Sequence, residues 1–236
     1  MITTLLTAAG TGSRMKQDIP KQFLHVNNKP IIIHTMEVFQ NDPNIDAIVV
    51  VTLKSWVKVL HAYAKQFNIT KLKKIVVGGK TGQASILKGI NAIKKISSED
   101  SIVMIHDGNR PLVTSEIIDN AIATYHQYGS AVAAIPTTEA VFMSQDGVHG
   151  ESVIDRDLLY RTQTPHVYKL SDVIKIHEKA AEKGITKSAA TCVLMHELGE
   201  KVYFSKGCET NLKITTVNDL LMFKSLLSTK NDSFIH

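Results

Sequence analysis

The sequence predicts an α/β fold: an open, mostly parallel sheet with helices on both faces and one projecting β-arm. Three observations lead there. Short apolar runs alternate with stretches of helical periodicity, the first run empties into a glycine-rich turn, and one polar stretch carrying a turn signal interrupts the rhythm. With 236 residues, 44% hydrophobic and 21% charged, the chain is long enough to bury a core of its own.

The first run, residues 2–9, is apolar and threonine-rich and stops at Gly10; comparable strand-like runs recur at 47–52, 74–77, 101–105, 131–136 and 201–205. Apolar residues at helical spacing fill 31–39, 56–67, 84–96, 115–128 and 171–182. Strand followed by helix, repeated, builds parallel strands joined by crossovers, and such sheets bind ligands beyond the carboxyl ends of their strands. The interruption, 137–160, has an Asp146-Gly147 turn signal between alternating flanks and reads as a hairpin arm, an element that gains little stability alone and suits pairing with a second subunit. This gives a single domain over 1–227, with the arm at 137–160, and a polar, unpatterned tail at 228–236.

No apolar run approaches the roughly 20 residues of a membrane span, and the N-terminus lacks the features of a signal peptide, so a cytoplasmic location is expected. Cys192 and Cys208 fit no metal-ligand spacing and read as plain thiols. The net charge of +5 comes from scattered lysines, with neither a basic stripe nor an aromatic stacking motif for nucleic acid. A polyanionic small molecule suits this balance.

The chemistry begins at Thr7-Ala8-Ala9-Gly10-Thr11-Gly12-Ser13-Arg14-Met15, followed by Pro20-Lys21-Gln22-Phe23. Small residues let backbone N–H groups approach a phosphate chain, and Arg14 and Lys21 add charge-assisted contacts. The spacing is neither that of a P-loop nor that of a dinucleotide fingerprint. The run at 101–105 delivers His106-Asp107-Gly108-Asn109-Arg110-Pro111 at its end; Asp107 could hold Mg²⁺ against nucleotide phosphates or serve as a cap or turn residue, and His106 reads as a packed histidine. Arg156 suits bidentate recognition of a phosphate and Lys213 a compact charge for a phosphoryl group, although each could equally be a solvated surface cation.

Taken in order, AAGTGSRM, PKQF, HDGNRP, DRDLLYRTQTP and NLKITT span nearly the whole chain and resemble the IspD/TarI family of cytidylyltransferases. That family includes enzymes acting on 2-C-methyl-D-erythritol 4-phosphate, for isoprenoids, and on ribitol 5-phosphate, for teichoic acids and capsules. The resemblance implies a Rossmann-like domain, CTP as donor, a small polyol phosphate as acceptor, pyrophosphate release, Mg²⁺ as cofactor and a homodimer with interlocking β-arms. Carried over by position, it implies that Ala8, Ala9, Gly10, Gly12, Ser85 and Asp107 bind the nucleotide, that Arg14, Lys21 and Lys213 are catalytic, that Asp107 is the metal ligand, and that Arg156 and Thr164 bind the acceptor.

Three positions depart from the family pattern. The GGxxRxxS segment is Gly78-Gly79-Lys80-Thr81-Gly82-Gln83-Ala84-Ser85, with Gly82 in place of arginine; the arm's Asp-Thr is Glu139-Ala140; and an acidic stretch is Thr186-Lys187-Ser188. These changes keep two alternatives open, a nucleotidyltransferase for a sugar 1-phosphate and a nucleotide-binding relative without turnover.

Overall fold

The computed structural model describes residues 1–10 and 19–229. Gly12 and Arg14 therefore lie outside the described residues, as does 230–236 of the expected tail.

The chain opens with strand β1 (Ile2–Ala8), a small hairpin of β2 (His25–Val26) and β3 (Lys29–Pro30), and helix α1 (Ile31–Asn41). Strand β4 (Ala47–Thr52), helix α2 (Val57–Gln66), strand β5 (Leu72–Val77) and helix α3 (Gly82–Ile93) follow, then β6 (Ile102–Asp107), α4 (Ser115–Tyr128) and β7 (Ser130–Pro136). The arm is the hairpin of β8 (Val141–Met143) and β9 (Ser152–Ile154). The chain returns through β10 (Tyr160–Lys169), α5 (Leu170–Glu182), α6 (Thr191–Glu197), β11 (Phe204–Lys206) and α7 (Val217–Thr229).

Seven strands form the main sheet in the order β11-β7-β10-β6-β1-β4-β5. All neighbours are parallel except β10, which runs antiparallel to both β6 and β7. Strands buried on both faces read as continuous apolar runs, and their alternate side chains feed two cores. Leu6, Val50 and Met104 face α1, α2 and α4, whereas Leu5, Val49 and Val103 face α3, α5 and α6. Gly89 lets α3 sit close to the sheet, because an added Cβ would lie 2.3 Å from Leu5 Cδ1. A third cluster, with Ile31, Leu112, Ile214 and Phe223, anchors α7.

The α/β class, the mostly parallel sheet and the arm match the sequence expectation, and four local readings are corrected. Strand β10 is absent from the sequence reading because Pro165 and polar neighbours mask it; proline cannot donate to a ladder, and the pairing of β10 with β7 shifts register between Thr162 and His166. The short helix α6, too brief to show a period, is a second omission. The strand expected at 201–205 is only Phe204–Lys206. Ser228 and Thr229, assigned to the tail, are the last residues of α7.

Candidate active site

Strands β1 and β6 lie side by side with Thr7 opposite Asp107, so Ala9-Gly10 and the acid emerge together at the carboxyl edge of the sheet. A cleft of about 530 Å³ opens there. Lys21, Lys80 and Lys213 line it, and Asp107 is its single carboxylate among the described residues. Ala8, Ala9, Gly10 and Ser85 also line it.

The turn after β1 is held from behind. Gln22, 2% exposed, donates from Nε2 to the carbonyl oxygens of Ala8 (2.7 Å) and Gly10 (3.1 Å). Its neighbour Lys21 is thereby placed on the cleft wall. Ser85 shapes the opposite wall. Its hydroxyl accepts from the Gly79 N–H (3.0 Å) and donates to the Thr81 carbonyl (2.9 Å), while the Thr81 side chain caps α3 by accepting from Ala84 N (3.1 Å). At Gly82 an added Cβ would meet nothing within 4 Å, so the position that departs from the family pattern leaves open space at the start of α3.

Asp107 is the hub. Its Oδ2 receives Arg110 Nε and Lys213 Nζ, each at 3.0 Å, and its Oδ1 receives Thr7 Oγ1 at 3.3 Å. Burial alone would raise the carboxyl pKa, but the charges of Lys213 and Arg110 and the Lys213 hydrogen bond outweigh it and hold the group far below the ordinary carboxylate range. His106 faces away, bonded to the Arg110 carbonyl at 3.2 Å and packed edge-on against Phe39; burial pushes it down to about 3, so it is a neutral packed histidine, as the sequence suggested.

Lys213 is positioned by residues far apart in the chain. Arg110 Nη1 donates to the Asn211 carbonyl (2.7 Å), and Ile214 N donates to Asn109 O (2.9 Å). Asn211, fully buried, donates to the Thr164 carbonyl (2.8 Å) and to Gln163 Oε1 (3.2 Å). The three motifs HDGNRP, QTP and NLKITT thus meet in one network. Gln22, Asn109, Arg110, Gln163 and Asn211 hold the site together and receive no role from the sequence reading; membership in the same motifs as the acid and the lysines is the signal that could have found them.

Two expected acceptor residues stand elsewhere. Thr164 is buried behind the acid, where its hydroxyl accepts from the Asp107 N–H at 3.1 Å, and it does not line the cleft. Arg156 sits in a short 3-10 turn on the arm, exposed, with Nη1 donating to the Thr138 carbonyl at 2.8 Å. It does not line its own chain's cleft either.

A cationic cleft with one acid among the described residues, at the carboxyl edge of a Rossmann-like sheet, defines a protein that handles a phosphate-bearing ligand. Over residues 2–229 the sequence matches the family described as IspD: 2-C-methyl-D-erythritol 4-phosphate cytidylyltransferase, and the chain belongs to that family. It is a nucleotidyltransferase. Similar curated proteins include a ribitol-5-phosphate cytidylyltransferase of Lacticaseibacillus paracasei, 39% identical over 98% of this chain and 99% of that one. Another, from Streptococcus agalactiae serotype Ia, bears the same name and is 38% identical over 98% of each chain. A 2-C-methyl-D-erythritol 4-phosphate cytidylyltransferase of Clostridium botulinum (strain Langeland) is 35% identical over 95% of this chain and 96% of that one. In fold, the chain resembles the crystal structure of 4-diphosphocytidyl-2C-methyl-D-erythritol synthase from Anaerococcus prevotii, with a TM-score of 0.82, 23% identity and 96% of each chain covered.

Proposed function

We propose that the chain transfers CMP from CTP to ribitol 5-phosphate, forming CDP-ribitol and pyrophosphate. The observation that carries this reading is that Lys21, Lys80 and Lys213 line one cleft whose single carboxylate among the described residues is Asp107, paired with Lys213, a charge pattern made for a triphosphate meeting a second phosphate. Ribitol is favoured by the relatives at 38% and 39% identity that bear its name, against 35% for one named for methylerythritol phosphate. The methylerythritol reading stays in play because the matched family is described by that activity.

A phosphate oxygen of the acceptor attacks the α-phosphorus of CTP in line, forming a P–O–P bond as the bond to the β-phosphate breaks and pyrophosphate leaves. The attacking oxygen is already ionised at neutral pH, so no strong base is needed. Positioning and neutralisation of charge carry the rate. Lys21 and Lys213 hold phosphate oxygens in this scheme, joined by Arg14, whose role is assigned from the sequence. The residues fit Mg²⁺: Asp107 is ionised, and among the described residues its Oδ1 accepts only the long bond from Thr7. Asp107 would be the protein ligand for the ion, with phosphate oxygens and water completing the shell, and the ion would neutralise triphosphate charge.

The same proposal includes a homodimer. Phe142 (57% exposed), Val148 (88%), Val153 (66%) and Leu158 (78%) leave the arm with apolar surface that a second copy would cover. An arm reaching across would bring Arg156 to the acceptor phosphate in the other copy's cleft, which reconciles its family role with its distance from its own. An enzyme consuming CTP works where CTP is made, in the cytoplasm.

The test is pyrophosphate release with CTP and Mg²⁺ against ribitol 5-phosphate, methylerythritol 4-phosphate, glycerol 3-phosphate and sugar 1-phosphates. Turnover with ribitol 5-phosphate is expected. Exclusive use of a sugar 1-phosphate, or CTP binding without any turnover, would overturn the assignment.

A further inference from the structure

Residues 47–98 hold ten lysines and no aspartate or glutamate, more positive charge than the whole chain's net +5. Along the sequence these lysines look scattered, but the fold gathers them. The segment forms β4, α2, β5 and α3, which close one side of the sheet with β5 as its outermost strand. At the start of β5, Lys73 and Lys74 share a groove of about 320 Å³ with His61 and Lys65 of α2, and no acidic residue lines it among the described residues. At its other end β5 runs into Gly78, Gly79 and Lys80, the last two of which line the cleft, and Lys88 of α3 donates to the Gly78 carbonyl (3.1 Å). Lys54 follows Leu53, another cleft residue. The six residues of β5 cover about 20 Å, so the lysines form a column of that length rising to the lip of the cleft.

Lys54, Lys58, Lys65, Lys73, Lys74 and Lys80 are exposed and enter no ion pair among the described residues. Like charges held on one side without counter-charges repel one another, so the column gives the fold nothing; what it gives is a field. Lysines also blunt an open strand edge against pairing. That accounts for Lys73 and Lys74 on β5, but not for Lys58 and Lys65 on the helix beside it. The arm, which leaves the sheet between β7 and β10, has the reverse balance: Glu139, Asp146, Glu151, Asp155 and Asp157 stand against Arg156 alone. The cleft at the β1–β6 seam therefore lies between a positive edge and an acidic arm, and a polyanion is drawn in from the β5 side.

We propose that this acid-free edge is an electrostatic guide that captures the polyanionic donor and leads it to the cleft, with Lys65, Lys73 and Lys74 acting on the rate of capture without touching the bound donor. This rests on the reading of CTP as donor. Fields of this kind raise association rates about 10–10³-fold and fade as salt shortens their reach.

The experiment measures CTP binding by calorimetry, and its association rate by stopped flow on the one tryptophan, Trp56, which stacks on Phe23 at 4.2 Å. Both are run at ionic strengths of about 0.01 M and about 1 M, where charge is felt over about 30 Å and about 3 Å. Lys65→Glu, Lys73→Glu and Lys74→Glu combined should slow association and raise Kd about tenfold at the lower ionic strength, with less than about twofold difference at the higher and kcat within about twofold at both. The matching glutamine triple removes three charges instead of reversing them and should show about a threefold effect. A control triple, Lys175→Glu, Lys201→Glu and Lys224→Glu, makes the same change in net charge away from this edge and should shift Kd less than about twofold. All six lysines are exposed, so these proteins should fold. Unchanged Kd in the edge triple at the lower ionic strength, or an equal loss in the control triple, would overturn this inference alone. No CTP binding by the unsubstituted protein would overturn both this inference and the function it rests on.

Discussion

The cleft floor and the arm handle polar groups in opposite ways. In the floor, Asp107, Arg110, Gln163, Thr164, Asn211 and Lys213 come from three distant segments; side-chain-to-backbone bonds from Arg110 to Asn211, from Asn211 to Thr164 and from Asp107 N to Thr164 Oγ1 lock the segments together, and Lys213 and Arg110 meet on the Asp107 carboxylate. In the arm, local bonds close the turn: Asp146 Oδ1 accepts from Val148 N (2.8 Å) and His149 N (3.1 Å) around Gly147, while the apolar side chains face outward. The floor is preorganised within one chain, which electrostatic catalysis requires. The arm is shaped but leaves its apolar side chains exposed, so under the proposed homodimer acceptor recognition would be the part of the reaction that depends on assembly.

The largest effect should come from the floor. Lys213→Ala should lower kcat about 10²–10³-fold with the fold retained, since it removes one charge stabiliser and leaves Arg110 on Asp107; steady-state pyrophosphate release and circular dichroism check this, and an unchanged rate would break the contrast. Next comes the arm. Leu158→Asp should give a monomer by light scattering whose calorimetric CTP affinity is retained, while kcat/KM for the acceptor drops on the order of a hundredfold, the scale of a lost charge-assisted contact.

A smaller effect concerns acid. Burial pushes His106 to about 3 and His166 and His177 to about 4. Their folded values lie below the unfolded value near 6.5, so the unfolded chain takes up protons first; the stability they confer is full above about pH 6.5 and declines as pH falls toward 4. Lowering the pH from 7 to 6 should cost on the order of 2 kcal/mol across the three, read as a drop in the urea midpoint. Ala140→Thr should have the smallest effect. The site is exposed, so stability should stay within about 0.5 kcal/mol, and a shift in acceptor KM beyond about threefold would show that the missing arm hydroxyl matters.

How much of this was legible follows from the kind of bond involved. Asp107 and Lys213 could be read because each follows a recognisable strand or motif and carries a charge. The polar clamps could not, because Gln22, Thr164 and Asn211 act on backbone atoms of segments 12 or more residues away, and no local pattern encodes such a partner. Pro165 hid β10 by a local rule that the register shift overrides. The arm was visible from Asp146-Gly147 and its alternating flanks, since a hairpin turn is written in adjacent residues.

The amide of Gln22 does more than brace a turn. Carbonyl oxygens carry the negative end of the peptide dipole, and two of them at the lip of a cleft would repel an approaching polyanion. Gln22, donating to the oxygens of Ala8 and Gly10, and Thr52 Oγ1, on Ala8 (3.3 Å), satisfy these negative ends beside the path a phosphate would take. Glutamate has almost the same shape but, ionised, only accepts hydrogen bonds. In its place, two attractions would become two repulsions beside the path of the triphosphate. An exchange of one NH₂ for one oxygen would then turn an entrance into a barrier without changing the outline of the protein.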